Sequence, residues 1–228
     1  MADTTPAQNP TPTTPATAPA ATPAAPAPAP EEHTFFAIVS RMRYIERWAL
    51  MRNARPDNLS EHSLEVAMIS HALCTIANVR YGQQLDANLA AVIALYHDAP
   101  EIITGDLPTP VKYFNHQISD AYKEVEAAAT KRLVDALPAD LRAAYEPVLS
   151  PSRQTEEEDR MLRLVKAADK LSALIKCIDE KNSGNTEFDS AAATIRATLD
   201  AMAAELPEVR DFLDELLPSY GRTLDELM

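Results

Sequence analysis

Leu95-Tyr96-His97-Asp98-Ala99-Pro100-Glu101 sets an imidazole and a carboxylate side by side at the end of an apolar run. Neighbouring groups of these two kinds suit a shared divalent metal ion. Upstream, His62 falls in the first turn of a helical pattern whose apolar positions Val66, Ile69 and Leu73 are spaced by three and four. Ser60 reads as the N-cap of that helix, and His62 shares a side with Val66. His71 is turned about half a revolution away from His62, at ~100° per residue, and is set aside as a ligand. Downstream, Leu162, Val165, Ala168, Ser172 and Ile175 form the stripe of a long helix, and Asp169 falls inside it. A carboxylate aimed at a core is costly unless it is paired or binds a cation. His62, His97, Asp98 and Asp169 therefore form one candidate metal centre.

The surrounding chain predicts an all-α fold. Only 4 of 228 residues are glycine, and sustained alternation of apolar and polar residues is absent. Helices are expected over 33–47, 59–80, 86–99, 100–105, 115–137, 139–146, 155–182, 186–205 and 208–216. Their stops have chemical causes: Gly82 follows the second, Pro138 follows Leu137, and Lys181-Asn182-Ser183-Gly184-Asn185 closes the long one. No internal repeat or persistent heptad is visible. Residues 1–32 are almost wholly Ala, Pro, Thr and acid, which bury too little apolar surface to offset chain entropy, so a disordered tail is expected there. Residues 33–228 are expected to form the one folded domain.

The tail has no Lys or Arg and is interrupted by prolines throughout, unlike a secretory signal. With no long apolar run for a membrane span, the chain reads as cytoplasmic. Cys74 and Cys177 lie far apart in helical patterns without a CxxC partner, which argues for two reduced thiols. Of the net charge of −13, only three negative charges, Asp3, Glu31 and Glu32, sit in the tail. Such a surface repels nucleic acid polymers, and any phosphate site must be made positive locally. The segment 41–55 offers Arg41, Arg43, Arg47, Arg52 and Arg55 against the single acid Glu46.

The ordered series of His62, His97-Asp98 and Asp169 resembles the metal site of the helical HD-domain phosphohydrolases. Ile45-Glu46-Arg47-Trp48-Ala49-Leu50-Met51-Arg52-Asn53, Ser60-Glu61-His62-Ser63-Leu64 and Thr104-Gly105-Asp106-Leu107-Pro108-Thr109-Pro110-Val111-Lys112-Tyr113-Phe114-Asn115 resemble the bacterial YfbR type of 5′-deoxynucleotidase. The likeness runs from about His33 to near the C-terminus and weakens after Asp169. The proline-rich tail has no counterpart in the family, and Pro100 stands where a small polar residue is expected. The resemblance implies an HD-domain helical bundle, hydrolysis of deoxyribonucleoside 5′-monophosphates to deoxyribonucleoside and phosphate, one divalent transition metal and a homodimer.

Residue by residue, the resemblance implies His62, His97, Asp98 and Asp169 as ligands of Co2+, Mn2+, Zn2+ or Fe2+, with catalytic roles for Glu101 and Asp106. Asp98 and Asp106 are also implied in substrate binding, with Arg47, Trp48, Leu107, Pro108 and Thr109. The chemistry of the side chains agrees. Glu101 follows Asp98 by three residues, on the same face if the helix continues, and is suited to moving protons on an attacking water. Asp106, after the permissive Gly105, suits protonation of the 5′ oxygen or a hold on the sugar. Arg47 can grip phosphate oxygens with two parallel hydrogen bonds, and Trp48 matches the family residue that crowds a 2′-hydroxyl.

His33 and His116 read as ordinary histidines, and Arg41, Arg43 and Arg55 as a solvated face. Lys112 fits a surface cation equally well. After Asp98 only His116 remains, so the histidines needed by two-metal branches of the fold are missing. Two further functions fit the pattern: another HD-type nucleotide phosphohydrolase, such as a triphosphohydrolase, and a non-catalytic, metal-dependent nucleotide-binding protein. A third possibility is that the tail docks a partner in an extended polyproline conformation.

Overall fold

Asn58 starts the helix that organises the molecule: its side chain accepts from the backbone amides of Ser60 and Glu61 at 3.0 and 3.2 Å. The structure is a computed structural model and describes residue 1, residues 33–112 and residues 114–228. The reading of residues 1–32 as a disordered tail, Met1 apart, lies outside the described residues. In chain order the helices are α1 (Phe35–Val39), α2 (Leu59–Tyr81), α3 (Ala87–Tyr96), α4 (Glu101–Thr104), α5 (Thr109–Lys112), α6 (His116–Asp135), α7 (Arg142–Leu149), α8 (Glu156–Asn182), α9 (Asp189–Ala203), α10 (Pro207–Asp211) and α11 (Leu224–Leu227). Tighter 3-10 turns span Ser40–Tyr44 and Leu217–Ser219, and a π turn spans Phe212–Leu216. Among the described residues every regular element is helical, with one isolated antiparallel bridge between Glu46 and Asn58. None of their helices is long and apolar enough to cross a membrane.

Local chemistry accounts for the ends of the two long helices. Helix α2 closes on Gly82 in the left-handed conformation at φ 66°, which glycine adopts without a Cβ clash. Helix α8 opens with a reciprocal cap: Thr155 Oγ1 accepts from the Glu158 amide at 3.1 Å while the Glu158 carboxylate accepts from the Thr155 amide at 3.1 Å.

Helices α2, α3 and α8 pack together, and α9 covers α8. Val66, Ile69 and Leu73 of α2, Ile93 of α3, Leu164, Leu171 and Ile175 of α8 and Leu199 of α9 share this core. Each fully buried leucine here removes enough apolar surface from water to contribute roughly 1.5–3 kcal/mol before chain entropy is counted. A second cluster, around Phe35, Met42, Leu59, Leu133 and Leu137, joins α1 to α6 and the start of α2.

Several expected boundaries move. The helix expected over 33–47 stops at Tyr44, because Ile45 is extended and its carbonyl accepts from the Leu59 amide at 3.0 Å. Glu46 bridges Asn58, and the Arg47 amide donates to Asp57 O at 2.9 Å. Long-range pairing with the segment before α2 thus competes successfully with continued helix, and Arg47 and Trp48 lie in a loop. The N-cap of α2 is Asn58 rather than Ser60. Helix α3 ends at Tyr96, not residue 99, and a tight turn carries the chain through His97, Asp98 and Pro100 into α4, with the Glu101 amide bonded to Asp98 O at 2.9 Å. The segment expected as 139–146 is helical over Arg142–Leu149, and 208–216 divides into α10 and the π turn.

Candidate metal centre and active site

Helix α2 presents His62, the turn after α3 presents His97 and Asp98, and the middle of α8 presents Asp169. His62 Nε2 lies 3.3 Å from Asp169 Oδ1 and 3.5 Å from Asp98 Oδ2, and His97 Nε2 lies 3.1 Å from Asp98 Oδ2. Ligand atoms of His62, His97 and Asp169 all fall within 4.8 Å of one another, and the two imidazole rings are 5.3 Å apart between centroids. His62 is fully buried, while the side chains of His97, Asp98 and Asp169 keep 17–24% of their surface exposed. The centre therefore has a buried floor and an accessible side. His71, by contrast, is exposed.

The outward hydrogen bonds of both histidines set their tautomers. His97 Nδ1 faces the Ala94 carbonyl at 2.7 Å; a carbonyl only accepts, so Nδ1 carries the proton. His62 Nδ1 lies 3.0 Å from Ser172 Oγ, whose own proton goes to Glu65 Oε2 at 2.6 Å. With that hydroxyl proton committed, Nδ1 of His62 is again the donor. In the neutral, metal-binding form of each ring Nε2 then turns its lone pair inward, and both Nε2 atoms are buried without a hydrogen-bond partner among the described residues. Buried polar atoms of this kind ordinarily find partners. Two unpartnered imidazole lone pairs facing two carboxylates are a donor set that fits a borderline divalent cation.

In the metal-free protein the same closeness lets His97 take a proton on Nε2 and keeps both carboxylates charged, so a bound cation replaces that proton. Burial opposes ionisation of Asp98 and Asp169, but His97 and His62 outweigh it at Asp98, and His62 with Lys170 outweighs it at Asp169; both carboxyls are held well below their usual range. Burial also opposes the charged form of His97, yet Asp98, Asp169 and the Ala94 carbonyl push it up to about 9. Glu101 behaves oppositely. Burial first, then the charges of Asp98 and Asp106, push it up to about 9. Asp106 is raised too, chiefly by burial and then by Asp98, against the lowering influence of Arg47 and the Trp48 backbone.

Arg47, Trp48 and Asp106 thus come together. Arg47 Nη1 donates to Asp57 Oδ2 at 2.7 Å, and its guanidinium carbon lies 5.8 Å from the Trp48 ring centroid. Trp48 stands at φ 58°, a left-handed conformation that costs a bulky residue roughly 1–3 kcal/mol and tends to persist at functional sites. Its ring packs edge-on against buried Phe188 at 5.3 Å. Leu107 and Pro108 are half-buried in the connection from Asp106 to α5, and Thr109 is exposed at the start of α5. A cavity of about 690 Å3 is lined by Glu65, Ile175, Lys176 and Arg222 among others, and shares only His62 with the four candidate ligands.

Sequence reasoning missed Glu65, the supporting role of Ser172, and Asp57. Glu65 had a readable signal, since it follows His62 by three residues on the same helix and so lies on the same side. Ser172 looked like one more small residue in an apolar stripe. Asp57 had no local signal, because its pairing with Arg47 depends on the bridge between the segments flanking the loop.

Residues 34–220 match the family described as 5′-deoxynucleotidase YfbR-like. The 5′-deoxynucleotidases YfbR of Salmonella paratyphi B and Salmonella newport are each 47% identical over 193 residues, covering 85% of this chain and 94% of theirs. Among solved structures, an HD-domain phosphohydrolase from Listeria innocua superposes with a TM-score of 0.70 at 26% identity, over 82% of this chain and 88% of that one. The fold is also shared with the cyanophage S-2L HD phosphohydrolase DatZ, solved with dA and one catalytic Zn2+ ion, at TM-score 0.54 and 22% identity over 80% of this chain and 93% of that one. With the HD series and its flanking motifs carried on this helical frame, the chain belongs to the YfbR-like 5′-deoxynucleotidase family.

Proposed function

We propose that this chain is a metal-dependent 5′-deoxynucleotidase, hydrolysing deoxyribonucleoside 5′-monophosphates to the deoxyribonucleoside and phosphate. The observation that carries the reading is the pair of buried, unpartnered Nε2 atoms of His62 and His97 facing Asp98 and Asp169, in a chain of this family. These four side chains hold one divalent transition ion, of which Co2+, Mn2+, Zn2+ and Fe2+ suit imidazole and carboxylate donors. When bound, such an ion acidifies water and draws charge from the phosphoryl group.

The other residues do the remaining work. Glu101 sits among Asp98 and Asp106 with its carboxyl pushed up to about 9; in its ionised form it accepts the proton that the attacking water gives up. A cation near Asp98 offsets part of that negative field and brings Glu101 closer to its working range. Asp106, raised in the same direction, donates to the departing 5′ oxygen or holds the sugar. Arg47 is oriented through Nη1 by Asp57 and offers its remaining donors to phosphate oxygens. Asp98 borders the substrate as well as the ion. Trp48 crowds the 2′ position of the sugar, and Leu107, Pro108 and Thr109 line the substrate loop.

The substrate is a small nucleotide, and a nucleic acid polymer is disfavoured by the net charge of −13. Buried, free Cys74 and Cys177 fit a reducing cytoplasm. A homodimer is supported by Leu64 and Met68, which lie four apart on α2 with 55% and 60% of their surfaces exposed, apolar area that a second copy can cover. Phosphate release from metal-loaded protein offered dAMP, AMP and dATP tests the activity. Faster release from dAMP than from AMP is expected; release of intact triphosphate from dATP moves the assignment to a triphosphohydrolase, and nucleotide binding without turnover under any metal makes the chain a non-catalytic binding protein.

A further inference from the structure

Glu180 is 1% exposed in the last turn of α8, where the helix dipole disfavours an anion and burial disfavours any charge. Its carboxylate is satisfied partly by neighbours in sequence and partly by a remote chain segment. Oε2 accepts from the Ala54 amide at 2.8 Å and from Asn185 Nδ2 at 2.6 Å. Oε1 accepts from the Arg55 amide at 3.3 Å and from Lys176 Nζ. Asn185 Nδ2 also donates to Arg52 O at 2.7 Å, and Lys176 Nζ donates to Arg55 O. Glu180, Asn185 and Lys176 therefore tie down the backbone of Arg52, Ala54 and Arg55.

The restraint reaches the front of the same loop. Asn53 Nδ2 donates to Met51 O at 3.0 Å and to Trp48 O at 3.3 Å, and the Met51 amide donates to Trp48 O at 2.8 Å. Trp48 is the residue in the left-handed conformation, an arrangement that persists only where the surroundings over-determine it. Phe188, three residues beyond Asn185, holds the indole edge.

We propose that Glu180, acting with Asn185, is a positioning residue for substrate selection: it fixes the Arg47–Arg55 loop so that Trp48 is presented to the sugar and Arg47 to the phosphate. This rests on the reading of Trp48 and Arg47 as substrate residues. Glu180 itself touches neither substrate nor reacting atoms, and the four candidate ligands of the ion lie outside its hydrogen-bonded network.

Trp48 is the only tryptophan in the chain, so its fluorescence reads the loop without any substrate. The test uses full-length, metal-loaded Glu180→Gln and Asn185→Ala. Both are expected to show red-shifted, more readily quenched Trp48 emission. They should also show a KM for dAMP raised about tenfold, a smaller change in kcat, and a reduced preference for dAMP over AMP, with metal content unchanged. If Glu180→Gln fails to fold, Asn185→Ala, at a half-buried position outside the core, carries the test. Unchanged emission in the folded variants overturns the clamp. Altered emission with unchanged KM and preference overturns its role in selection. Trp48→Ala separates the two readings: if it keeps the preference, the assignment of Trp48 to the sugar falls; if it loses the preference while the clamp variants keep theirs, the clamp alone falls.

Discussion

His62 Nε2 stands 3.3 Å from Asp169 Oδ1 across the contact between α2 and α8, and among the described residues neither that nitrogen nor His97 Nε2 has a hydrogen-bond partner. The two helices would pack with less cost if those groups were apolar, so the arrangement is best stabilised by a cation. Asp169→Ala and Asp98→Ala should each lose bound metal and activity together, measured by elemental analysis and phosphate release. In the unsubstituted protein, metal at about 100 times its Kd should add ~2.7 kcal/mol of stability. For a domain of this size that is about 5–10 °C in melting temperature, reversed by a chelator. Retention of stoichiometric metal in both variants would remove these residues from the ligand set.

Ser172 and Glu65 should govern metal affinity without touching the ion. Ser172→Ala deletes the acceptor that holds His62 Nδ1–H, freeing the ring to rotate or change tautomer. Loss of such a supporting partner typically costs about 10- to 100-fold in metal affinity. Titration calorimetry with Zn2+ or Co2+ checks this, and an unchanged Kd sinks it.

Glu101→Gln should keep the metal and lose turnover by roughly 10²- to 10⁴-fold, the range for a positioned proton-transfer group. Equal loss of metal would make Glu101 a ligand or a structural residue.

The same residue shapes the pH dependence of the metal-free protein. Its folded-state carboxyl is raised from 4.5 to about 9, so between those values the native state binds the extra proton and the unfolded state does not. Stability associated with Glu101 is therefore fully present below about pH 4.5 and is lost as pH rises towards 9. Melting curves of metal-free protein across that window should decline more steeply for the wild type than for Glu101→Gln. Parallel curves would show that Glu101 does not titrate there.

Arg47→Lys should lower kcat/KM for dAMP by about 10- to 100-fold, corresponding to ~1.5–3 kcal/mol for a hydrogen bond to a charged group. A lysine ammonium cannot satisfy Asp57 and two phosphate oxygens with one planar fork. Unchanged kinetics would take Arg47 out of the phosphate site.

Helix content, the long α2 and α8 and the candidacy of His62, His97, Asp98 and Asp169 as a ligand series were legible in the sequence, because helical periodicity, an adjacent His-Asp pair and a charge in an apolar stripe are local properties. Gly82 marked a helix end for the same reason. The stretch after Tyr44 was not legible: residues 45–47 have no breaker, and only pairing of Ile45, Glu46 and Arg47 with the segment before α2 draws them out of a helix. Trp48 at φ 58° and its hold by Phe188 belong to the same class.

Sequence alone therefore determined an all-helical chain carrying four candidate ligands in a recognisable order. Tertiary structure decided which nitrogen of each histidine faces inward, through Ala94 and through Ser172 with Glu65, and where the Arg47–Arg55 loop is anchored, through Glu180. The division has a physical cause. Backbone hydrogen bonding and side-chain periodicity act within a few residues, whereas a tautomer, a buried carboxylate and a left-handed tryptophan are held only by groups that packing brings from distant parts of the chain.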